Sequence, residues 1–215
     1  MTNFSVAQLS DIDEVSDGRV PFRIVRHHFG IESFGVNAFT GVNEGDRIIN
    51  EHTEDEGHEE LYVVLSGHAR FEIDGETVDA PQGTLVYVKP EANRTAFAEE
   101  PNTTFVAVGG TPGKAYVVHG WELWAPLAPL YKEERYDEVA DRLRAVVDDN
   151  PYPMLLYNLA CIESLAGRKS DAVEHLRRAV ELHADFGQMA KEDSDFDAIR
   201  DEPGFSEAVE SPGSA

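Results

Sequence analysis

The chain has 215 residues, which is enough for one large domain or two small ones that each bury a core. Its net charge is −23, from 41 acidic and 18 basic residues, and a field of this sign repels nucleic acid and anionic membranes. The single cysteine, Cys161, excludes an internal disulfide and a multi-thiolate zinc site, and no apolar run is long enough to span a membrane.

The first twenty residues carry few apolar positions, and we expect an irregular arm there. The opening, MTNFSVAQLSDIDEV, is acidic and interrupted, unlike a charged-then-apolar leader, so we expect a cytoplasmic protein. From Pro21 onward, alternation predicts strands at Phe22–Phe29 and Phe34–Thr40. In the first of these strands, His27 and His28 would point to opposite faces, so at most one could face a barrel interior.

The segment Asp46–Gly67 concentrates the residue types that bind metals. It holds His52, His58 and six carboxylates within ten residues, and then becomes the apolar run Leu61–Leu65. A run of this length that ends at Ser-Gly is typical of a strand. The segment therefore predicts potential ligands at the entrance of a strand.

Further short segments, each bounded by Gly, Pro or Asn, are predicted to be strands: Glu59–Leu65, Ala69–Asp74, Glu76–Asp79, Thr84–Lys89, Arg94–Ala98 and Thr103–Val108. Asp74 and Gly75 form a predicted two-residue hairpin turn. With the two earlier strands, this count is typical of a sandwich or small barrel. In the strand from Glu60, both faces are apolar, so we expect something to cover the outer one.

Two spacings in this region resemble motifs of the cupin family. Glu60 stands six residues before Gly67, as in the first family motif, and Pro81-Gln82-Gly83 followed by TLVYVKPEANR is similar to the second. The chain has His52-Thr53-Glu54 where the family has His-x-His, and Arg94 stands where the second motif has histidine. The resemblance implies a double-stranded β-helix, or jelly roll, with the Glu60 face turned inward and a homodimer formed through outer strands.

A divalent Fe, Mn, Ni or Zn ion would be the cofactor of such a site, because imidazole and carboxylate ligands suit this class of metal. His52 and Glu60 could supply two ligands, and Glu54 or His58 a third. Arg94 cannot coordinate, because a guanidinium offers only donors. It could instead bind the carboxylate or phosphate of a small anion, pair with Glu60, or lie solvated at the rim.

After Trp121 the pattern becomes helical. A shift of 33 residues aligns Trp124 with Tyr157 and also superposes a set of apolar and basic positions: Leu143 on Leu176, Arg144 on Arg177 and Val147 on Val180. Gly167 and Ser170 then separate two amphipathic segments. This pattern resembles the tetratricopeptide repeat, whose period is about 34 residues. Two copies are few for holding a peptide, so we expect the helices to cover the barrel, build a dimer or dock a protein partner.

Together these features predict a two-domain α+β protein. Its parts are a cupin-like barrel at 1–118, a helical domain resembling tetratricopeptide repeats at 119–210, and a disordered tail at 211–215. The favoured function is binding of a small polar or anionic molecule, with these predicted contacts: Arg94, Tyr62, Tyr87 and Glu60. The alternative is a metal-dependent enzyme, of oxygenase or isomerase type, with these ligands: His52, His58 and Glu60. A purely structural interaction protein would instead have a filled barrel around Tyr62, Val64 and Tyr87.

Overall fold

A computed structural model describes residues 3–16, 20–54, 57–118, 120–149 and 152–210. Two compact units make up the chain, Met1–Val118 and His119–Ala215. The predicted tail at 211–215 lies outside the described residues. Across the part of the chain that the structure describes, none of the helices has the length and apolar character that a membrane span requires.

The N-terminal unit is a roll of two antiparallel sheets. Its strands, in chain order, are β1 (Glu14–Ser16), β2 (Pro21–Arg23), β3 (Gly35–Gly41), β4 (Arg47–His52), β5 (Glu59–Ser66), β6 (His68–Ile73), β7 (Glu76–Pro81), β8 (Leu85–Val88), β9 (Arg94–Ala98) and β10 (Thr103–Gly110). One sheet has the order β1-β2-β3-β10-β5-β8, and the other has the order β4-β9-β6-β7. The predicted strands from Glu59 to Val108 are confirmed to within a few residues at their ends.

The core of the roll lies between the two sheets and is built around three aromatic rings. Tyr62 of β5 and Phe105 of β10 come from one sheet, and Phe71 of β6 comes from the other. The ring of Tyr62 lies 5.1 Å from that of Phe71 and 5.6 Å from that of Phe105, and all three side chains are fully buried. Alternate residues of each strand thus fill the interior, as the period of two predicts.

The outer face of the six-stranded sheet is apolar, as predicted. Leu61 pairs with Tyr87 and Val63 with Leu85, so these four side chains lie on the same face. Leu85 and Tyr87 are 64% and 54% exposed, and Leu65 on the same face is 43% exposed.

Two glycines define tight positions in the roll. The predicted hairpin turn between β6 and β7 is confirmed, since Asp74 and Gly75 both have positive φ, at 50° and 83°. Gly67 also has positive φ, at 73°, and a Cβ there would lie 2.7 Å from the Thr103 Cα. Only glycine suits that junction between β5 and β6.

The prediction of a strand over Phe22–Phe29 is wrong. The strand β2 ends at Arg23, and a short helix, α1 (Val25–Phe29), follows it. Gly30 ends this helix in the left-handed conformation, and its N–H donates to the carbonyl groups of Arg26 and His27. His27 and His28 therefore lie on a helix, and the argument that places them on opposite faces of a strand does not apply.

The regular secondary structure described in the C-terminal unit is entirely helical. Its α-helices are α2 (Gly120–Trp124), α3 (Ala128–Lys132), α4 (Tyr136–Asp149), α5 (Pro153–Leu165), α6 (Lys169–Leu182), α7 (Asp185–Glu192) and α8 (Phe205–Val209). Helix α5 is apolar on every side and packs against both α4 and α6. The positions matched by the 33-residue shift, Leu143 with Leu176 and Val147 with Val180, are buried in one core.

A buried ionic cluster joins three of these helices. The Glu163 carboxylate on α5 is fully buried and accepts hydrogen bonds from Arg144 of α4 and, at 2.6 Å, from Nδ1 of His175 on α6. Arg144 also pairs with Asp171 at 2.6 Å and remains 39% exposed. The 33-residue shift places Glu163 opposite the apolar Leu130, so the two copies differ at the position that carries this ion pair.

Candidate functional site

Three predicted site residues meet at one end of the roll. His52 ends β4 and pairs directly with Arg94 at the start of β9, and Glu60 lies near the start of β5 in the facing sheet. The Nε atom of Arg94 lies 3.1 Å from Oε2 of Glu60, and Nε2 of His52 lies 4.0 Å from the same oxygen. The strand pairing and these distances place all three side chains together at this end of the roll.

Tyr62 connects this polar end to the aromatic core. Its hydroxyl donates to Oε2 of Glu60 at 2.6 Å, while its ring packs among Phe71 and Phe105. Burial, and then the negative charge of Glu60, raise the pKa of Tyr62 well above its ordinary value. The hydroxyl therefore stays protonated at neutral pH and remains a donor to Glu60.

The imidazole of His52 is fixed through both ring nitrogens. Its Nδ1–H donates to the Asn50 carbonyl at 2.8 Å, which turns Nε2 toward Glu54 Oε1 at 3.3 Å. The hydrogen bond with Glu54 raises the pKa of His52, although burial opposes the rise. This orientation, with Nδ1 on a carbonyl and Nε2 directed into the site, is the one that metal-binding histidines adopt.

Arg94 is the largest fully buried side chain among the residues described. Its Nη1 donates to the His52 carbonyl at 3.3 Å. Its Nε lies within ion-pair distance of Glu60, but the geometry of that contact is not that of a hydrogen bond. Its Nη2 has no hydrogen-bond acceptor among the residues that the structure describes. Of the three interpretations drawn from the sequence, a solvated rim arginine is wrong, because no part of the side chain is exposed.

His58 lies behind the site. It is buried, and its Nδ1 lies 3.8 Å from Oε2 of Glu54. Its ring packs at 5.6 Å against Tyr116, which also lies under the guanidinium of Arg26. Gly35 makes room for Tyr116, since a Cβ there would lie 2.6 Å from the tyrosine hydroxyl. Sequence analysis provides no signal for Tyr116, which lies in a glycine-rich connection 75 residues after Gly41, the last residue of β3. Its contact with His58 follows only from the fold.

The structure does not place Tyr87 with the other predicted contacts. Val86 and Val88 of the same strand are buried in the core of the roll, so Tyr87 points to the opposite, outer face. Its hydroxyl donates to Glu59 there at 2.9 Å. An interior role for Tyr87 is therefore not supported. The sequence pattern misses this because the strand is apolar on both faces.

The donor atoms at this end of the roll fit a metal, but the surrounding charge does not. His52, Glu54 and Glu60 each offer one ligand atom, and these atoms lie within 4.8 Å of one another. Such an imidazole and carboxylate set suits a divalent transition metal. However, the Arg94 guanidinium lies closer to Glu60 Oε2 than His52 Nε2 does, so Glu60 already has a cationic partner. While this contact is present, the site disfavours a second cation.

Comparison with family models gives a match in the central part of the N-terminal unit. The family model described as "Cupin domain" matches residues 38–108. A search among curated proteins found no match.

Solved structures of low sequence identity resemble about half of the chain. A cupin protein from Desulfovibrio desulfuricans is 20% identical, with a TM-score of 0.42, over 50% of this chain and 97% of its own. A Klebsiella pneumoniae protein with a double-stranded β-helix domain is 20% identical, with a TM-score of 0.43, over 53% of this chain and 88% of its own. A predicted oxalate decarboxylase from Thermotoga maritima is 17% identical, with a TM-score of 0.42, over 49% of this chain and 97% of its own.

Proposed function

We propose that the roll containing residues 38–108, the region matched by the cupin family model, binds a small polar molecule through an anionic group held by Arg94. One observation carries this proposal: the guanidinium is fully buried, yet its Nη2 has no acceptor within the described part of the chain. Leaving a buried donor unpaired costs about 1–3 kcal/mol, and more for a charged group. A carboxylate or phosphate oxygen would remove this cost, because the planar guanidinium donates in pairs to such groups.

The neighbouring side chains would position the anion-binding group and select the rest of the ligand. Glu60 contacts Nε of Arg94 and the His52 carbonyl accepts from Nη1, so Nη2 is the atom left for a ligand. The carboxylates of Glu54 and Glu60 would accept hydrogen bonds from hydroxyl or amino groups of the same molecule. Tyr87 is not part of the proposed site, because its ring lies on the outer face.

The aromatic core limits where such a molecule would bind. Phe71 and Phe105 fill the interior beside Tyr62, so the proposed ligand is small and lies at the polar end. A filled interior is also what a purely structural interaction protein would have. The buried, incompletely paired guanidinium favours binding, since a structural core gains nothing from it.

Titration calorimetry with inorganic phosphate and with succinate tests the proposal. We expect one site per chain for at least one of the two probes, weakened by at least about 10-fold in Arg94→Lys, because the loss of a paired, charge-assisted contact is worth about 1.5–3 kcal/mol. Arg47→Lys is the matched control, because Arg47 is an exposed arginine of the same roll that stacks on Phe97 at 5.3 Å. Equal weakening in both variants, or no binding of either probe, would contradict the proposal.

A metal-dependent enzyme of oxygenase or isomerase type is the second candidate function. The observation that favours it is the cluster of ligand atoms from His52, Glu54 and Glu60. His58, the third ligand expected from the sequence, contacts Glu54 and would support that residue from behind. Iron, manganese, nickel or zinc at about one per chain in the purified protein, lost in His52→Ala, would favour this candidate.

We further propose that the outer face of the six-stranded sheet is covered by a second copy of the chain. Leu65, Leu85 and Tyr87 are exposed there, and an apolar face of this kind is stabilised by burial. The helical unit, with its resemblance to tetratricopeptide repeats, would serve assembly or the docking of a protein partner. Sedimentation of the intact chain and of Leu85→Lys tests the dimer, which the charged substitution is expected to dissociate.

A further inference from the structure

The His52, Glu54 and Glu60 group has the donor set of a metal site, but its cationic partner is Arg94. Three ligand atoms lie within 4.8 Å of one another, and Nδ1 of His52 is held by the Asn50 carbonyl so that Nε2 faces the carboxylates. An imidazole fixed in this way is ready to coordinate. These residues are therefore already oriented as a divalent ion would require.

The obstacle is the charge and position of the guanidinium. Arg94 Nε lies 3.1 Å from Glu60 Oε2, and the same oxygen accepts from the Tyr62 hydroxyl at 2.6 Å. A carboxylate oxygen that already accepts one hydrogen bond and lies in ion-pair contact with a guanidinium has little capacity left for a metal. A divalent ion bound to Glu60 would also lie close to a permanent positive charge in a buried setting, where screening by water is weak.

We infer that Arg94 acts as the built-in cation of this site, excludes divalent metals from the His52, Glu54 and Glu60 group, and masks a metal site that its removal would expose. This inference does not depend on the binding of an anionic ligand. It can hold if phosphate and succinate fail to bind, and it can fail if they do bind.

The test is the binding of Co²⁺ to the full-length protein, followed by visible absorption and by calorimetry. We expect the wild type to show no Co²⁺ absorption band at one equivalent. We expect Arg94→His, which removes the fixed charge and adds an imidazole, to bind one Co²⁺ per chain at least about 100-fold more tightly than the wild type. Adding His52→Ala to that variant should abolish the gain.

Two controls separate this effect from others. Arg94→Gln removes the charge without adding a strong ligand, so we expect a smaller gain in affinity that still depends on His52. Arg47→His adds a histidine at an exposed position of the same roll and should bind Co²⁺ no better than the wild type.

The wild type alone can overturn the inference, even if the Arg94 variants fail to fold. Tight binding of one Co²⁺ per wild-type chain, lost in His52→Ala, would show that Arg94 does not exclude the metal. A folded Arg94→His variant that binds Co²⁺ no better than the wild type would also refute the inference, because the remaining donors would then be insufficient.

Discussion

The buried cluster around Glu163 predicts a large loss of stability for Glu163→Gln. The carboxylate accepts from both Arg144 and His175 and is fully buried. Removing one partner of a buried ion pair typically costs about 3–5 kcal/mol. Arg144 is partly solvated and keeps Asp171 as a partner, so we expect the lower end of that range, about 3 kcal/mol.

Urea denaturation followed by tryptophan fluorescence measures this loss in the correct part of the chain. Both tryptophans, Trp121 and Trp124, belong to the helical unit, so their emission reports on its unfolding. Glu138→Gln is the matched control, because Glu138 pairs with Arg135 and Arg142 on the exposed surface of α4. Surface pairs of this kind contribute about 0.2–1 kcal/mol each.

The outcome that would refute the reasoning is specific. If Glu163→Gln and Glu138→Gln lower the free energy of unfolding by the same small amount, the buried cluster contributes no more than a surface pair. A change in the slope of unfolding free energy against urea concentration would instead indicate that the substitution alters how much surface unfolding exposes.

Three other perturbations have expected outcomes. Phe71→Ala should destabilise the roll by about 3–5 kcal/mol in calorimetry, because it leaves a cavity among the aromatic rings. Gly67→Ala should cost more than about 1 kcal/mol and more than Gly75→Ala, whose added Cβ meets nothing within 4 Å; equal costs would contradict the proposed clash. The hydrogen bond from Arg144 lowers the pKa of Asp171 from its ordinary value of 3.8. The difference in stability between wild type and Asp171→Asn should therefore be fully present above that ordinary value and decrease as the pH falls through the lowered pKa; a difference that does not decrease with falling pH would refute this.

Much of the fold could be predicted because the strands have clear boundaries. Glycine, proline and the Asp74-Gly75 turn mark their ends, and the apolar run before Gly67 identifies β5. The strand predicted over Phe22–Phe29 is wrong because the prediction followed the alternation of apolar residues and passed over a local signal for the end of a helix. That signal is Gly30 after a last turn that holds Arg26, His27 and His28, which is typical of a helix C-terminus.

The candidate site was harder to predict than the fold. Spacing alone related His52, Glu60 and Arg94 to one end of the roll, and the strand pairing places them there. Spacing could not show that Tyr87 faces outward, since its strand is apolar on both sides. Nor could it reveal Tyr116, because the contact with His58 joins segments that are distant in sequence.

Tyr62 has one consequence for attempts to redesign this protein. Its ring stabilises the roll and its hydroxyl fixes Glu60, so the same side chain is required for folding and for the chemistry of the polar end. Libraries that vary His52 or Glu54 should therefore yield folded variants with new specificities, whereas libraries that vary Tyr62 should mostly yield insoluble protein.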